Sequence, residues 1–194
     1  ALRSVGIYWW KVCIWDRCGQ PTPWSEPACF GTGLFDAADW RARWIGRGPC
    51  REPHLPHERF GRDFEQYLNT VEVDGRSTLL RKEFVPTKPV RAARVFVSGL
   101  GFYELYINGR RIGEQVNGPA RTEYRHRVLY DAFDITGILQ DGPNAMGLML
   151  GNGWFNPAKK YWGWRMQWYG SPKAILQCHI DYANGTSGII RTDG

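Results

Sequence analysis

The stretch Phe102-Tyr-Glu-Leu-Tyr-Ile-Asn-Gly-Arg-Arg-Ile-Gly113 carries the clearest fold signal in the chain. Its first six residues follow the two-residue period of a β-strand. Asn108-Gly109 comes next, and this pair is the commonest two-residue hairpin turn because both central positions need positive φ. Arg110-Arg-Ile-Gly113 then resumes the partner strand, so the stretch predicts a β-hairpin.

The same two-residue period, rather than the 3.6-residue period of a helix, extends along most of the sequence. The predicted strands cover 8–15, 28–32, 79–85, 90–97, 102–107, 127–133, 144–150, 174–182 and 187–191. Asn184-Gly185 is a second hairpin signal. The one helical indication is a single turn over 134–139, which Asp134 or Thr136 could cap. We therefore predict an all-β protein, with a jelly roll or similar sandwich over 79–191.

Composition and charge exclude several classes of function. The net charge is +6, but the basic residues occur in pairs with acidic residues between many of them, and no nucleic-acid-binding motif is present. No apolar run approaches the roughly 20 residues that cross a bilayer, and residues 1–6 do not form a signal peptide. The sequence does not distinguish a location in the bacterial periplasm or outside the cell from one in the cytoplasm.

Five cysteines occur, with no pair spaced as metal ligands are. Cys178 shares a strand face with Ala174, Leu176, Ile180 and Tyr182, which predicts a small buried apolar residue. Cys13, Cys18 and Cys29 flank one predicted hairpin and could include a disulfide pair in an oxidising compartment.

The sequence contains no convincing catalytic set. His54-Leu-Pro-His57 has a spacing that resembles a metal site, but its proline removes the helix that would aim both rings one way, so we interpret it as a solvated loop. Paired carboxylates could cleave a glycosidic bond. The candidates are Glu104, Glu114, Glu123 and Asp131, which we interpret as outward strand or loop charges.

The stretch from Gly151 to Trp168 is unusually aromatic, since it holds four of the ten tryptophans. Sugar C–H faces pack on indole rings while hydroxyls find amide and basic side chains. The candidate sugar-binding residues are Asn152, Trp154, Asn156, Tyr161, Trp162 and Trp164. The alternatives left open are that Trp154 plugs the end of the sandwich, and that the aromatic face docks to another domain.

An ordered set of motifs resembles bacterial α-L-rhamnosidases of glycoside hydrolase family 78. The motifs are Tyr8-Trp-Trp-Lys-Val-Cys-Ile-Trp-Asp16, Pro23-Trp-Ser-Glu-Pro27, Asp39-Trp-Arg-Ala-Arg-Trp-Ile-Gly46, the hairpin 99–113, Thr122-Glu-Tyr-Arg-His-Arg-Val-Leu-Tyr130 and Leu150-Gly-Asn-Gly-Trp-Phe-Asn156. The resemblance implies three parts. Residues 1–35 are the C-terminal hairpin of an incomplete fibronectin-III-like domain, 36–78 are a connector with an irregular loop, and 79–194 are the family's jelly-roll or galactose-binding-like β-sandwich.

The resemblance also implies where the chemistry lies. In this family the catalytic acids belong to a large (α/α)6 barrel C-terminal to this region, where terminal α-L-rhamnose is hydrolysed with inversion. We therefore expect no catalytic residue in this chain and no hydrolysis by it alone. Calcium is a candidate cofactor by the resemblance, and the candidate partners are L-rhamnose-containing carbohydrate and the catalytic domain.

Three functions follow as hypotheses. The leading one is an accessory β-domain that supports the barrel and contacts sugar through 152–168. The second is a purely structural or interaction domain, and the third is an independent lectin-like module that binds sugar.

Overall fold

The computed structural model describes residues 1–48, 76–156 and 169–193. The chain divides into two compact units, Ala1–Arg41 and Ala42–Gly194. We call them unit 1 and unit 2. The three-part division at 35 and 78 stays a prediction.

Unit 1 is built on one small antiparallel sheet. Strands β1 (Ile7–Trp10) and β2 (Ala28–Gly31) pair with Ile7 opposite Gly31. A 3₁₀ turn at Ala37–Asp39 follows. The strand predicted over 8–15 ends at Trp10, although Val12 and Ile14 still accept hydrogen bonds from the amides of Ser25 and Thr22. The ladder is interrupted because the segment opposite contains Pro21 and Pro23, which have no amide hydrogen to donate.

Unit 2 contains the remaining strands of the described residues. They are β3 (Ile45–Gly46), β4 (Thr78–Phe84), β5 (Val90–Leu100), β6 (Phe102–Ile107), β7 (Arg110–Ile112), β8 (Asp131–Asp134), β9 (Asn144–Gly151), β10 (Lys173–Tyr182) and β11 (Ser187–Arg191). The prediction of an all-β protein is confirmed. Within the described ranges, no helical segment has the length and apolar character needed to cross a membrane.

Two antiparallel sheets form unit 2. Sheet I has the strand order β4-β9-β6-β7, and sheet II has the order β11-β10-β5-β8, with β3 paired to the start of β10. The longest ladder joins β5 to β10 and places Val95 opposite Cys178 and Val97 opposite Leu176. These pairings fix which side chains of sheet II point towards sheet I.

The core of unit 2 lies between the two sheets. Sheet I contributes buried residues such as Leu105, Leu148 and Leu150, while sheet II contributes Val95 and Ile180 to the same cluster. Alternate residues of each strand point inward because side chains along a strand alternate between its two faces. The arrangement is a β-sandwich, as predicted. The predicted face of β10 is buried throughout, and its members are Ala174, Leu176, Cys178, Ile180 and Tyr182.

Both predicted hairpins are present, but their turns differ. Asn108 and Gly109 have φ values of 52° and 80°, the conformation expected for a two-residue turn between β6 and β7. The β10–β11 connection is longer: the amide of Tyr182 donates to Thr186, and Gly185 alone takes positive φ, at 82°.

Two elements predicted between 127 and 139 differ from the elements that the structure has there. The strand predicted over 127–133 is only Asp131–Asp134, because the Ser98 hydroxyl donates to the carbonyl of Leu129 at 2.6 Å in place of a ladder bond. The predicted helical turn over 134–139 is a hydrogen-bonded turn outside any helix. Asp134 caps it by accepting from the amide of Thr136 at 2.9 Å.

The outer face of β10 is more buried than its polar residues suggest. Gln177 is fully buried, and its side-chain oxygen accepts from the amide of Ala42 at 3.1 Å. Its amide nitrogen lies 2.7 Å from Nε2 of His179. The chain leading into β3 therefore covers part of this face, which alternation alone could not indicate.

Candidate functional site

The loop after β9 begins where two backbone segments, residues 101–102 and 151–153, lie close together. Gly101 has φ of 108°, and a Cβ there would lie 2.3 Å from the carbonyl oxygen of Gly151. Gly153 has φ of 50°, and a Cβ there would lie 2.9 Å from the amide nitrogen of Phe102. Only glycine fits both places without displacing backbone. The turn at Gly151-Asn-Gly153 thus depends on contact with the β5–β6 corner.

Three aromatic rings pack together beside this loop. The ring of Phe155 is stacked on that of Tyr169, with centroids 5.7 Å apart, and meets the ring of Tyr124 edge-on at 5.3 Å. Tyr124 and Tyr169 also meet edge-on, at 5.1 Å. The amide of Tyr169 donates to the carbonyl of Phe155 at 3.0 Å, which ties the two segments together. These geometries are the favoured ones for aromatic pairs.

A cavity of about 410 Å³ opens next to these rings. We call it the aromatic cleft. Its lining residues are Trp44, Leu100, Tyr124, Arg125, Val128, Phe155 and Tyr169. Phe155 is buried and forms part of the floor, whereas Trp44 is 39% exposed. Its size lies within the range of small-molecule sites, and it combines aromatic walls with a few polar groups, as such sites do.

The polar groups of the aromatic cleft are hydrogen-bond donors at neutral pH. Burial raises the pKa of the Tyr124 hydroxyl, an effect that the positive charge of Arg121 opposes. Burial also raises the pKa of Tyr169, and the negative charge of Glu123 adds to this rise. The Tyr169 hydroxyl donates to Glu123 at 3.3 Å. Both phenols therefore stay protonated, and Arg125 adds a permanent positive charge.

The structure describes half of the predicted sugar-binding residues. Asn152 and Asn156 are joined by two hydrogen bonds. The backbone amide of Asn156 donates to the carbonyl of Asn152, and the side-chain nitrogen of Asn156 donates to Asn152 Oδ1, both at 3.0 Å. Asn156 is only 2% exposed. The Trp154 ring lies under the guanidinium of Arg121, at 5.3 Å from the ring centroid. Tyr161, Trp162 and Trp164 lie outside the described residues, as do His54 and His57.

The aromatic cleft includes residues that were not among the sequence candidates. Trp44, Tyr124 and Tyr169 come from three distant parts of the chain and converge only through the ladders of sheet II and the loop after β9. The stretch Thr122-Glu-Tyr-Arg125 was visible as a motif, but its contact with Phe155 was not. Sugar binding by the residues named from the sequence stays a prediction, and the partners of Phe155 in the cleft depend on the fold.

The calcium prediction finds little support in the asparagines. Oxygen ligands are what calcium prefers, but the side chains of Asn152 and Asn156 are bonded to each other. Within 1–48, 76–156 and 169–193, no group of three or more His, Cys, Asp or Glu could hold a metal. Calcium binding stays a prediction.

The candidate carboxylates have structural partners. Glu104 accepts from the Tyr106 hydroxyl at 2.8 Å and pairs with Arg111 at 3.4 Å. Asp131 accepts from the Tyr103 hydroxyl at 2.5 Å. Glu114 is an exposed residue after β7.

The fold defines a class, the two-sheet antiparallel β-sandwich. Comparison with protein families places the chain within that class. Residues 88–194 match the family described as "Alpha-L-rhamnosidase N-terminal domain", and residues 1–36 match "Rha78A-like, N-terminal immunoglobulin domain". The first match covers more than half of the sequence, so the chain belongs to the family of α-L-rhamnosidase N-terminal domains.

Curated relatives carry the same name. An α-L-rhamnosidase of Formosa agariphila is 31% identical over 99% of this chain, and one of Streptomyces avermitilis is 34% identical over 84%. The chain spans 21% and 14% of the lengths of these two proteins. It therefore corresponds to a limited part of each relative.

Solved structures agree. The α-L-rhamnosidase from Dictyoglumus thermophilum superposes with a TM-score of 0.76 at 33% identity, and that from Aspergillus terreus with 0.78 at 27%. Each comparison covers 99% of this chain and 20% of the other.

Proposed function

We propose that this chain is the accessory β-portion of an α-L-rhamnosidase and that its aromatic cleft contacts carbohydrate. The family match and the names of the relatives support the first half. The single observation that carries the second half is the convergence of Trp44, Tyr124 and Tyr169 around one cavity. The enzyme that contains such a portion would release terminal α-L-rhamnose from glycans or glycosides.

The physical argument rests on how sugars are recognised. A pyranose has faces of C–H groups that pack on aromatic rings, and a rim of hydroxyls that needs hydrogen-bond partners. The aromatic cleft supplies both, because its rings stand beside the Arg125 guanidinium and the Tyr124 and Tyr169 hydroxyls. The Tyr169 hydroxyl donates its one hydrogen to Glu123, which holds it in place and leaves its oxygen to accept from a sugar hydroxyl.

Titration with L-rhamnose, followed by two-dimensional NMR of the indole and backbone N–H groups, tests this role. We expect binding in the millimolar range, with shifts concentrated at Trp44, Tyr124 and Tyr169. Trp44→Ala should weaken binding by about fivefold or more, since it removes an aromatic wall worth about 1 kcal/mol. Arg127→Gln is the control, because Arg127 is exposed in the loop that carries Tyr124 and Arg125 and does not line the cleft.

Saturating rhamnose without shifts at the cleft would reject sugar contact there, and equal weakening by both variants would reject the assignment of the site. An aryl α-L-rhamnoside assay completes the test. We expect no turnover by this chain, and turnover would show that a catalytic pair had been overlooked.

A second candidate role is docking to a neighbouring polypeptide domain. Large apolar side chains in unit 1 favour it, since Trp9, Trp15 and Trp24 are 70%, 64% and 56% exposed. Exposed apolar groups at this density mark interaction surfaces. Hydrogen exchange of residues 7–15 should slow in a longer rhamnosidase chain that includes this sequence; equal exchange in both chains would contradict docking.

A further inference from the structure

Gln177 and His179 form a pair of polar side chains on the outer face of β10, which is the face turned away from sheet I. Gln177 has no exposed surface, and His179 is half-buried. The imidazole of His179 meets the ring of Phe96 edge-on, with 5.6 Å between the ring centroids. Its Nε2 atom lies 2.7 Å from Nε2 of Gln177. The two side chains are therefore in direct contact.

The directions of the hydrogen bonds in this pair follow from Ala42. The backbone amide of Ala42 is a donor and lies 3.1 Å from Gln177 Oε1, so the carboxamide oxygen of Gln177 faces Ala42. The carboxamide nitrogen, which can only donate, then faces His179. Nε2 of His179 must accept this bond, which requires a neutral imidazole that carries its proton on Nδ1.

A second proton on His179 reverses this arrangement. Both nitrogens are then donors that face each other across 2.7 Å. Rotation of the Gln177 carboxamide by half a turn removes the conflict, because its oxygen then accepts from the charged imidazole. The same rotation turns the carboxamide nitrogen towards the amide of Ala42, which loses its acceptor. The protonation of His179 is therefore coupled to the hydrogen bond of Ala42.

We propose that His179 is a pH-sensitive switch for the segment that leads into β3. When His179 is neutral, Gln177 holds Ala42 against sheet II; when His179 is charged, the carboxamide rotates and Ala42 is released. Arg43 is held independently, because its amide donates to the carbonyl of Thr192 at 2.9 Å and its carbonyl accepts from the Thr192 hydroxyl at 2.6 Å. The switch determines whether the fixed part of the segment begins at Ala42 or at Arg43.

The described residues around this pair carry charges of both signs. Arg94 of β5 is half-buried and stands opposite His179, and Asp134 of β8 stands opposite Arg94. On β10, Asp181 lies two residues from His179 on the same face. Solvent and salt screen the exposed charges, whereas the contact with the buried Gln177 is not screened, so the hydrogen bond decides. The charged or titratable neighbours on β5, β8, β10 and β11 and on the chain beside them are Arg41, Arg43, Arg91, Arg94, Tyr130, Asp134, Asp181 and Arg191.

NMR titration between about pH 8 and pH 5 tests the switch, because histidine side chains change charge in this range. At pH 8 the imidazole nitrogens of His179 should show the neutral form with the proton on Nδ1. On acidification, the amide proton of Ala42 should shift upfield in step with the protonation of His179, because it loses its acceptor. The amide proton of Arg43 should not follow.

Three results of this titration would overturn the proposal. The first is an imidazole of His179 that carries its proton on Nε2 at pH 8. The second is an Ala42 amide that keeps its hydrogen bond while His179 takes up its second proton. The third is a His179 side chain that is still neutral at pH 5.

Two histidine variants provide a matched pair. His179→Gln offers Gln177 a neutral acceptor in the same place, so the Ala42 amide should keep its hydrogen bond from pH 8 to pH 5. His126 is exposed in the loop between β7 and β8, and His126→Gln should leave the response of Ala42 as it is in the parent chain. A response that persists in His179→Gln would assign the pH dependence to another group.

A change at Gln177 keeps the test decisive if His179→Gln does not fold. Both oxygens of a carboxylate accept, so in Gln177→Glu the charged imidazole and the Ala42 amide no longer compete for one acceptor. We expect His179 to take up its proton at higher pH than in the parent chain, and Ala42 to stay bonded throughout. Release of Ala42 on acidification of Gln177→Glu would reject rotation of the carboxamide as the mechanism.

Discussion

Strand β1 of unit 1 and strand β10 of unit 2 have similar sequences in one respect: bulky apolar residues alternate along both. In β10 the alternate residues Ala174, Leu176 and Cys178 are at most 4% exposed. In β1 and just after it, Trp10 and Val12 are 50% and 44% exposed. Alternation thus indicates which side chains share a face, and a different feature determines whether that face is covered.

The difference comes from what surrounds each strand. β10 pairs with β5, β11 and β3, and sheet I covers its inner face. Among the strands that the structure describes, β1 pairs with β2 alone, and an isolated two-stranded sheet is marginally stable in water. Most of the free energy of folding in the described residues should therefore come from unit 2.

The cysteines provide the largest expected contrast between the units. Burial raises the pKa of the Cys178 thiol from an ordinary 9.0 to about 12. Its thiolate fraction near neutral pH is then smaller by about a thousandfold, since each pKa unit is a factor of ten. Cys18 and Cys29 are exposed free thiols in unit 1. Alkylation by iodoacetamide, read by peptide mass spectrometry, should label them long before Cys178.

The control for this experiment is the same reaction in strong denaturant, where all of these thiols should react alike. Labelling of Cys178 in the native protein at the rate of Cys18 would mean that the core opens readily, and the contrast between the units would fail.

The next largest contrast is in the free energy of unfolding, between a substitution in the core and one on the surface. Leu105 is fully buried in sheet I, and Leu105→Ala should lower the free energy of unfolding of unit 2 by about 3 kcal/mol, because it removes buried apolar area and leaves a cavity. Trp9→Ala removes a larger side chain, but one that is 70% exposed, and should cost less than about 0.5 kcal/mol.

Native-state hydrogen exchange of the β10 amides measures the loss in Leu105→Ala, and exchange of the β1 and β2 amides measures the loss in Trp9→Ala. A similar loss in both would show that the apolar surface of unit 1 is buried in solution after all.

The sequence predicted the parts of this structure that depend on local patterns. The Asn108-Gly109 hairpin, the inward face of β10 and the all-β class followed from period-two alternation and turn chemistry. The burial of Gln177 did not, because its cover is the chain near Ala42, distant in sequence. For the same reason, the sequence indicated only part of the aromatic cleft. Phe155 was in the predicted aromatic stretch, whereas Trp44 and Tyr124 approach it only in the folded chain.

Two asparagines, Asn144 at the start of β9 and Asn184 in the β10–β11 turn, extend the contrast between covered and exposed positions to polar residues. Asn144 is 2% exposed, and its side chain accepts from the Gln140 amide and from Asn108, and donates to the carbonyls of Gln140 and Gly142. Asn144→Ala should cost about 2 kcal/mol, because it leaves several of these groups without a partner. Asn184 caps an exposed turn by accepting from Thr186. Asn184→Ala should cost about 0.5 kcal/mol.

Urea denaturation of the two variants, followed by far-ultraviolet circular dichroism, checks this difference. Equal losses of unfolding free energy would mean that the turn conformation, rather than burial, determines how much each asparagine contributes to stability.

The smallest expected effect is a dependence of stability on pH that originates in unit 2. Tyr103 lies in β6 and is 8% exposed, and its hydroxyl donates to Asp131. Burial, followed by the hydrogen bond to Asp131 and the charge of Asp131, raises the pKa of this phenol well above its ordinary 10.0. Below pH 10.0 the phenol is neutral in both the folded and the unfolded chain, so its contribution to stability is fully present.

Above that pH the unfolded chain loses the proton and the folded chain keeps it, so the free energy of unfolding falls by up to about 1.4 kcal/mol per pH unit. Urea midpoints between pH 8 and 11 should therefore decline less steeply in Tyr103→Phe than in the parent chain. Tyr8→Phe, which removes a hydroxyl from unit 1, should leave the decline unchanged. Because the two variants lose the same atom, a shallower decline in Tyr8→Phe, or a decline in Tyr103→Phe as steep as in the parent chain, would mean that the alkaline sensitivity does not arise from the covered face of the sandwich.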